Sequence, residues 1–105
     1  LIKNDFDIAF SNVDVIMTPT TRGTAFEMGS KGSDPIQMYL EDLFTISANL
    51  AGLPAMSLPN GIVNNKPTGL QIIGNFLEES SILNFAHIYQ TKTNWHMYTP
   101  EGVIK

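Results

Sequence analysis

The chain has 105 residues, of which 43% are hydrophobic and only 15% charged, with a formal net charge of -4 at pH 7. This length corresponds to one domain or less. Six Lys and Arg residues against ten Asp and Glu argue against a phosphate-binding surface, and the absence of cysteine excludes disulfides and thiolate metal sites. Because an average soluble domain is roughly 25% charged, an unusual share of this surface is expected to be buried, within the chain or by something else.

The first third of the chain predicts a helix, a strand and a loop. Residues 2–10 carry apolar side chains at helical spacing with no capping residue before them, which indicates the end of a helix in a longer protein. Residues 13–19, VDVIMTP, form a β-branched run closed by proline and predict a strand with apolar side chains on both faces. Residues 20–33 are rich in glycine, serine and threonine and predict an irregular loop.

A central helix is predicted over residues 34–51. Asp34 can accept hydrogen bonds from the free amides of the first turn, and Pro35 suits the first helical position. Gly52 is expected to end this helix in a left-handed conformation, with Pro54 shortly after it.

The second half predicts a hairpin and a last helix. Residues 55–59 and 69–74 are short apolar strands, joined by a long, turn-rich loop over residues 60–68. Residues 79–93 have the spacing of an amphipathic helix. The uncharged run over residues 43–65 does not predict a membrane span, because glycine and proline break it into short pieces.

The fold class that follows is α/β, with about three strands and three helices in the order helix, strand, helix, strand, strand, helix. Three strands with apolar residues on both faces cannot close their own sheet, and open sheet edges are a liability that complete proteins manage. We therefore interpret the chain as the end piece of a larger sheet. Such a piece, on its own, is expected to self-associate or to be marginally stable.

Two adjacent carboxylates, Glu41 and Asp42, precede an apolar segment that has no further charge until Lys66. On a continuous helix, Asp42 heads a polar stripe with Thr45 and Asn49, whereas Glu41 points about 100° away. If Asp42 is buried it needs hydrogen-bond donors, either protein groups or the ammonium of a ligand, because an unpaired buried carboxylate is costly. The residues alone leave open a solvated helix surface or a carboxylate satisfied by the neighbouring backbone.

The sequence contains no complete catalytic constellation. Ser47 and Ser57 lie in apolar surroundings outside any G-x-S-x-G motif, so packing roles are favoured. His87 and His96 lack carboxylate or thiol neighbours at ligand spacing, so no metal site is predicted. Gln71 alternates with apolar residues of a strand and is predicted to be a buried amide that makes structural hydrogen bonds.

The run DPIQMYLEDLFTISANLAGLPAMSLPNG over residues 34–61, with KPTGLQIIG and NWH further on, resembles the amidase signature family. The DP..MYLEDLFT segment and the earlier VDVIMTPTT are closer to the tRNA-dependent amidotransferases of that family. The resemblance covers essentially the whole chain. It implies a mixed β-sheet sandwiched between helices, of which residues 1–105 are the C-terminal fragment of a single amidase domain without its catalytic N-terminal part.

This resemblance also implies an activity for the intact protein. It implies that the protein releases ammonia from glutamine with a Ser–cis-Ser–Lys triad, and that a partner subunit uses ATP and magnesium to amidate Glu-tRNA(Gln) or Asp-tRNA(Asn). The triad lies upstream of these residues, so the chain alone is expected to be inactive and to hold no cofactor. The implied partners are the B and C subunits, glutamine, and misacylated tRNA through the complex. The implied location is the bacterial cytoplasm or, alternatively, an organelle.

One residue role carries over from the resemblance. The aspartate of the MYLEDLFT-like segment helps to bind the α-amino group of glutamine, and it matches Asp42. A fixed carboxylate suits an ammonium group, and a desolvated ion pair gives selectivity. The glutamine-binding arginine of the family would precede Leu1. The alternatives are another amidase-signature hydrolase and a non-catalytic interaction module.

Overall fold

The computed structural model describes residues 2–28 and 35–100 of the chain. No helix in these ranges is long and apolar enough to cross a membrane. The elements in chain order are α1 (Ile2–Phe10), β1 (Val15–Pro19), α2 (Pro35–Glu41), α3 (Ile46–Ala51), β2 (Ala55–Val63), β3 (Lys66–Gly74), α4 (Glu79–Lys92) and a 3-10 turn (Trp95–Met97). The α/β class is confirmed, and the strands form a three-stranded antiparallel sheet in the order β1-β3-β2.

The hairpin of β2 and β3 is tighter than predicted. Its two strands meet at Asn64 and Asn65, both in the left-handed region with φ of 51° and 62°. Asparagine tolerates this conformation, and two such residues in a row suit a two-residue hairpin loop. The prediction of a long loop over residues 60–68 is therefore wrong, because both strands extend into it, with an irregularity in the register between Pro59 and Gly61.

The central strand β3 is buried on both faces of the sheet. Ile72 and Ile73 are adjacent, so their side chains point to opposite faces, and both are almost completely buried. Ile73 packs with residues of α1, β1, α3 and the link after α3, namely Phe6, Phe10, Ile16, Ala48, Ala51 and Leu53. Ile72 packs on the other side with residues that include Leu58, Ile82 and Ala86. The sheet therefore lies between α1 and α3 on one face and α4 on the other.

The prediction of one continuous central helix is wrong. The helix α2 ends at Glu41 and α3 begins at Ile46, and residues 42–45 form an interhelical turn. The Asp42 carbonyl oxygen accepts hydrogen bonds from the Thr45 and Ile46 amides at 3.1 Å each, and from the Thr45 hydroxyl at 3.3 Å. A threonine hydroxyl that competes for a backbone acceptor in this way disfavours a regular helix.

The end of the central helical segment is as predicted. Gly52 adopts φ 70°, and its cap amide contacts the carbonyl oxygens of Ala48 and Asn49. This left-handed conformation is one that glycine adopts without strain. The predicted cap at the start, Asp34, lies outside the described residues.

We expect Ile72→Ala to lower the free energy of unfolding by about 2–5 kcal/mol, because it opens a cavity where no side-chain surface is exposed. The matched control is Leu83→Ala on α4, whose side chain is 56% exposed and whose loss should change stability by less than about 0.5 kcal/mol. Urea unfolding of both variants at one protein concentration checks this. Equal effects would contradict the assignment of Ile72 to the core.

We also expect the 105-residue chain, purified alone, to self-associate or to unfold at low urea. Large apolar side chains stay exposed on the outer strands and the central helical segment, among them Met17, Tyr39, Leu50, Ile62 and Val63. Contiguous exposed apolar surface favours association. Light scattering combined with urea unfolding checks this, and a monomeric sample that unfolds cooperatively at high urea would contradict it.

Candidate functional site

The predicted site residue, Asp42, is the first residue of the interhelical turn (residues 42–45). Its side chain is exposed to solvent, whereas the neighbouring Glu41 is half-buried. The predicted stripe of Asp42, Thr45 and Asn49 does not run along one helix, because the helix is interrupted between the first and second of these residues. A carboxylate at this position is accessible to a ligand, and the turn, not a helix face, sets where it lies.

Gln71 connects this turn to the sheet. Its side chain is 4% exposed and lies on β3. The side-chain amide Nε2 donates to the Phe44 carbonyl oxygen at 2.7 Å, inside the interhelical turn, and to the Thr18 hydroxyl of β1 at 2.9 Å. The prediction of a buried amide with structural hydrogen bonds is confirmed. Its bond to the segment that carries Asp42 was not foreseen.

Hydroxyl groups continue this polar arrangement across the sheet. In the strand register, Gln71 lies opposite Thr18 on β1 and opposite Ser57 on β2. The Ser57 hydroxyl is in turn 2.6 Å from the Thr20 hydroxyl. We call Thr18, Thr20, Ser57 and Gln71 the polar row. Sequence reasoning missed both threonines, although Thr18 and Thr20 continue the period-two spacing of Ile16 through β1 to the residue after it, which is the signal that would have found them.

Gly69 makes room for the two outer hydroxyls of the polar row. A Cβ atom at this position would lie 2.7 Å from Thr20 Oγ1, 3.1 Å from Thr20 Cβ and 3.0 Å from Ser57 Oγ. The 2.7 Å contact is shorter than real Cβ contacts, so a side chain at this position would require Thr20 to shift. Gly69 therefore has a steric reason to be glycine, and the hydroxyl pair sits against the strand backbone.

An open pocket of about 350 Å³ lies beside the hydroxyl pair. Its lining consists of small, hydroxyl-bearing and apolar residues without an ionisable side chain: Thr20, Thr21, Ser57, Leu58, Pro59, Pro67, Thr68 and Gly69. Asp42 is not among them. Because no base lines this pocket, its hydroxyls can donate and accept hydrogen bonds, but nothing in the lining activates them as nucleophiles.

Both histidines are exposed, His87 on α4 and His96 in the 3-10 turn. Within residues 2–28 and 35–100, no group of three or more His, Asp or Glu side chains is placed to hold a metal ion. The candidate site therefore consists of one exposed carboxylate on a turn that a buried amide ties to the polar row.

The comparisons with known proteins establish the family. The Amidase family profile matches residues 1–83, and the chain belongs to this family. It is 57% identical over 103 residues, 98% of its length, to the A subunit of glutamyl-tRNA(Gln) amidotransferase from Saccharophagus degradans. It is 55% identical over 103 residues to the protein of the same name from Dechloromonas aromatica. The chain spans about a fifth of the length of these relatives, 21% in both cases.

Solved structures agree with the fold. The crystal structure of the glutamyl-tRNA(Gln) amidotransferase A subunit from Thermotoga maritima superposes with a TM-score of 0.68 at 49% identity, covering 70% of this chain and 16% of that one. The structure of 6-aminohexanoate cyclic dimer hydrolase superposes with a TM-score of 0.81, covering 94% of this chain and 23% of that one. At 24% identity, this second likeness shows the fold alone.

We expect Gly69→Ala to lower the free energy of unfolding by about 1–3 kcal/mol, because the new methyl group has to push Thr20 and Ser57 away from the strand. Gly23→Ala is the matched control, since a Cβ there meets nothing within 4 Å. Thermal unfolding of both variants checks this. A Gly69→Ala variant as stable as the control would contradict the close approach.

Proposed function

We propose that residues 1–105 are the C-terminal segment of the A subunit of an aspartyl/glutamyl-tRNA(Asn/Gln) amidotransferase, which hydrolyses glutamine to supply ammonia. The observation that carries this proposal is the 57% identity, over 98% of the chain, to the A subunit of a glutamyl-tRNA(Gln) amidotransferase. The likeness to the cyclic dimer hydrolase is much weaker in sequence, at 24% identity, and supports the fold without favouring that substrate.

In this proposal the intact subunit works within a complex. Ammonia released from glutamine passes to a partner subunit, which amidates Glu-tRNA(Gln) or Asp-tRNA(Asn) with ATP and magnesium, and the B and C subunits are the partners. The Ser–cis-Ser–Lys triad belongs to the part of the protein upstream of these residues. The 105 residues alone are then inactive and hold no cofactor. The complex is placed in the bacterial cytoplasm, with an organelle as the alternative.

The role proposed for Asp42 is to accept hydrogen bonds from the α-ammonium of glutamine. Its carboxylate is exposed on a turn that is fixed to the sheet, so it can meet a ligand without first breaking a buried contact. A charge-assisted bond at the α-carbon orients the substrate, so that the side-chain amide of glutamine faces the serine supplied by the rest of the protein. This interaction contributes to binding and leaves the bond-breaking chemistry to the triad.

In the intact subunit, Asp42→Asn should raise the KM for glutamine roughly tenfold or more, since a hydrogen bond to a charged group contributes about 1.5–3 kcal/mol. Ammonia release at varied glutamine concentration measures this effect. Glu41→Gln is the matched control, because it removes the neighbouring carboxylate without changing the size of the side chain. The KM of this variant for glutamine should stay close to that of the unmodified protein.

A substrate analogue sharpens this test. Glutaramate keeps the side-chain amide of glutamine but lacks the α-ammonium. The unmodified subunit should prefer glutamine to glutaramate in kcat/KM, and Asp42→Asn should shrink that preference. Unchanged discrimination in the variant would rule out the ammonium role.

Assays of amide hydrolysis by the intact protein test the proposed glutaminase activity against the two alternatives. An intact protein that hydrolyses other amides but not glutamine would favour a different amidase-signature hydrolase. An intact protein with no amide hydrolysis at all would favour a non-catalytic interaction module.

A further inference from the structure

Gln71 is the one buried polar side chain in the part of the chain that the structure describes. We propose that it is a positioning residue, whose hydrogen bond to the Phe44 carbonyl sets where the interhelical turn holds the Asp42 carboxylate. This inference rests on the proposed function of Asp42. It adds a residue that does not touch the substrate and acts through the backbone of the turn.

The chemistry of the amide explains why this position needs a glutamine. A side-chain amide nitrogen carries two hydrogens, and Gln71 directs one to the Phe44 carbonyl and the other to the Thr18 hydroxyl. An ionised glutamate has only acceptors and would repel the carbonyl oxygen. An apolar residue would leave that carbonyl without its side-chain donor in a partly buried place, where an unsatisfied polar group is costly.

The turn transmits the position of Phe44 to Asp42. The Asp42 carbonyl oxygen accepts hydrogen bonds from the backbone amides of Thr45 and Ile46, so the residues before and after Phe44 are joined in one hydrogen-bonded turn. The next helix continues from this turn and buries Ala48 against the sheet. A displacement of the Phe44 carbonyl therefore moves the whole turn, including the residue that carries the carboxylate.

The strand side of the connection is also fixed. The Thr18 hydroxyl donates to the Pro19 carbonyl oxygen at 2.9 Å, which leaves its lone pairs to accept from Gln71. Gln71 itself is flanked by Ile72, which is fully buried. The amide thus reaches the turn from the strand that is buried on both faces. Such a strand holds the amide in place, so the amide can fix the position of the turn.

The test uses glutamine hydrolysis by the intact subunit. Gln71→Met keeps the length of the side chain but removes both donors. It should raise the KM for glutamine about tenfold, which is the scale of one lost hydrogen bond, and it should change kcat by less than about twofold. The preference for glutamine over glutaramate should fall in parallel. Thr18→Val removes the hydroxyl that holds Gln71 from the strand side but keeps the bond to Phe44, so its KM should rise by less than that of Gln71→Met.

A second variant covers the case in which Gln71→Met does not fold. Gln71→Asn stays polar but is one methylene shorter, so it cannot span both acceptors, and it should show the same split between KM and kcat. The double variant Gln71→Met with Asp42→Asn should have a KM no higher than Asp42→Asn alone, because residues that act through one interaction are not additive.

Three results would overturn the inference. If Asp42→Asn raises KM while neither Gln71 variant does, or if the two effects are additive, Gln71 is a structural residue only and the proposed function stands. If Asp42→Asn itself leaves KM and the discrimination against glutaramate unchanged, the ammonium role fails, and the positioning role fails with it.

Discussion

The burial of β3 on both faces is the constraint from which the remaining structure follows. Ile72 and Ile73 belong to separate apolar clusters on opposite faces, so helices have to cover both sides of the sheet. Gln71 comes directly before them and is almost equally inaccessible. A buried amide needs partners, and it finds them in the strand beside it and in the interhelical turn. The packing of one strand thus decides where the candidate site lies.

The apolar core follows directly from local sequence patterns. The β-branched run before Pro19 and the apolar run through Ile72 predict strands, and the structure has both. Gly52 likewise marks the end of the helical segment, because its left-handed conformation depends on the residue type more than on its surroundings. The strands depend on how apolar their own residues are, and the helix end depends on the conformation of a single glycine. Neither requires knowledge of contacts between distant parts of the chain.

The errors lie where distant contacts or unexpected turn chemistry decide the outcome. The helix break between Asp42 and Thr45 includes the Phe44 carbonyl, which accepts a hydrogen bond from Gln71, 27 residues further along the chain. The spacing of apolar residues in a helix carries no information about such a distant contact. The tight hairpin turn at Asn64 and Asn65 was masked by the glycine and proline signals around it. The choice of Asp42 as a site residue came from the resemblance of its motif, since spacing alone left a solvated surface open.

The central claim is that the interhelical turn presents the Asp42 carboxylate to the α-ammonium of glutamine from a position that β3 fixes. The most direct measurement is a crystal structure of the intact subunit with glutamine bound and the proposed nucleophilic serine replaced. The account predicts an Asp42 carboxylate oxygen within about 3.2 Å of the α-nitrogen, and the bond between Gln71 and the Phe44 carbonyl kept. Glutamine bound with its α-nitrogen on other residues, and Asp42 still facing solvent, would contradict it.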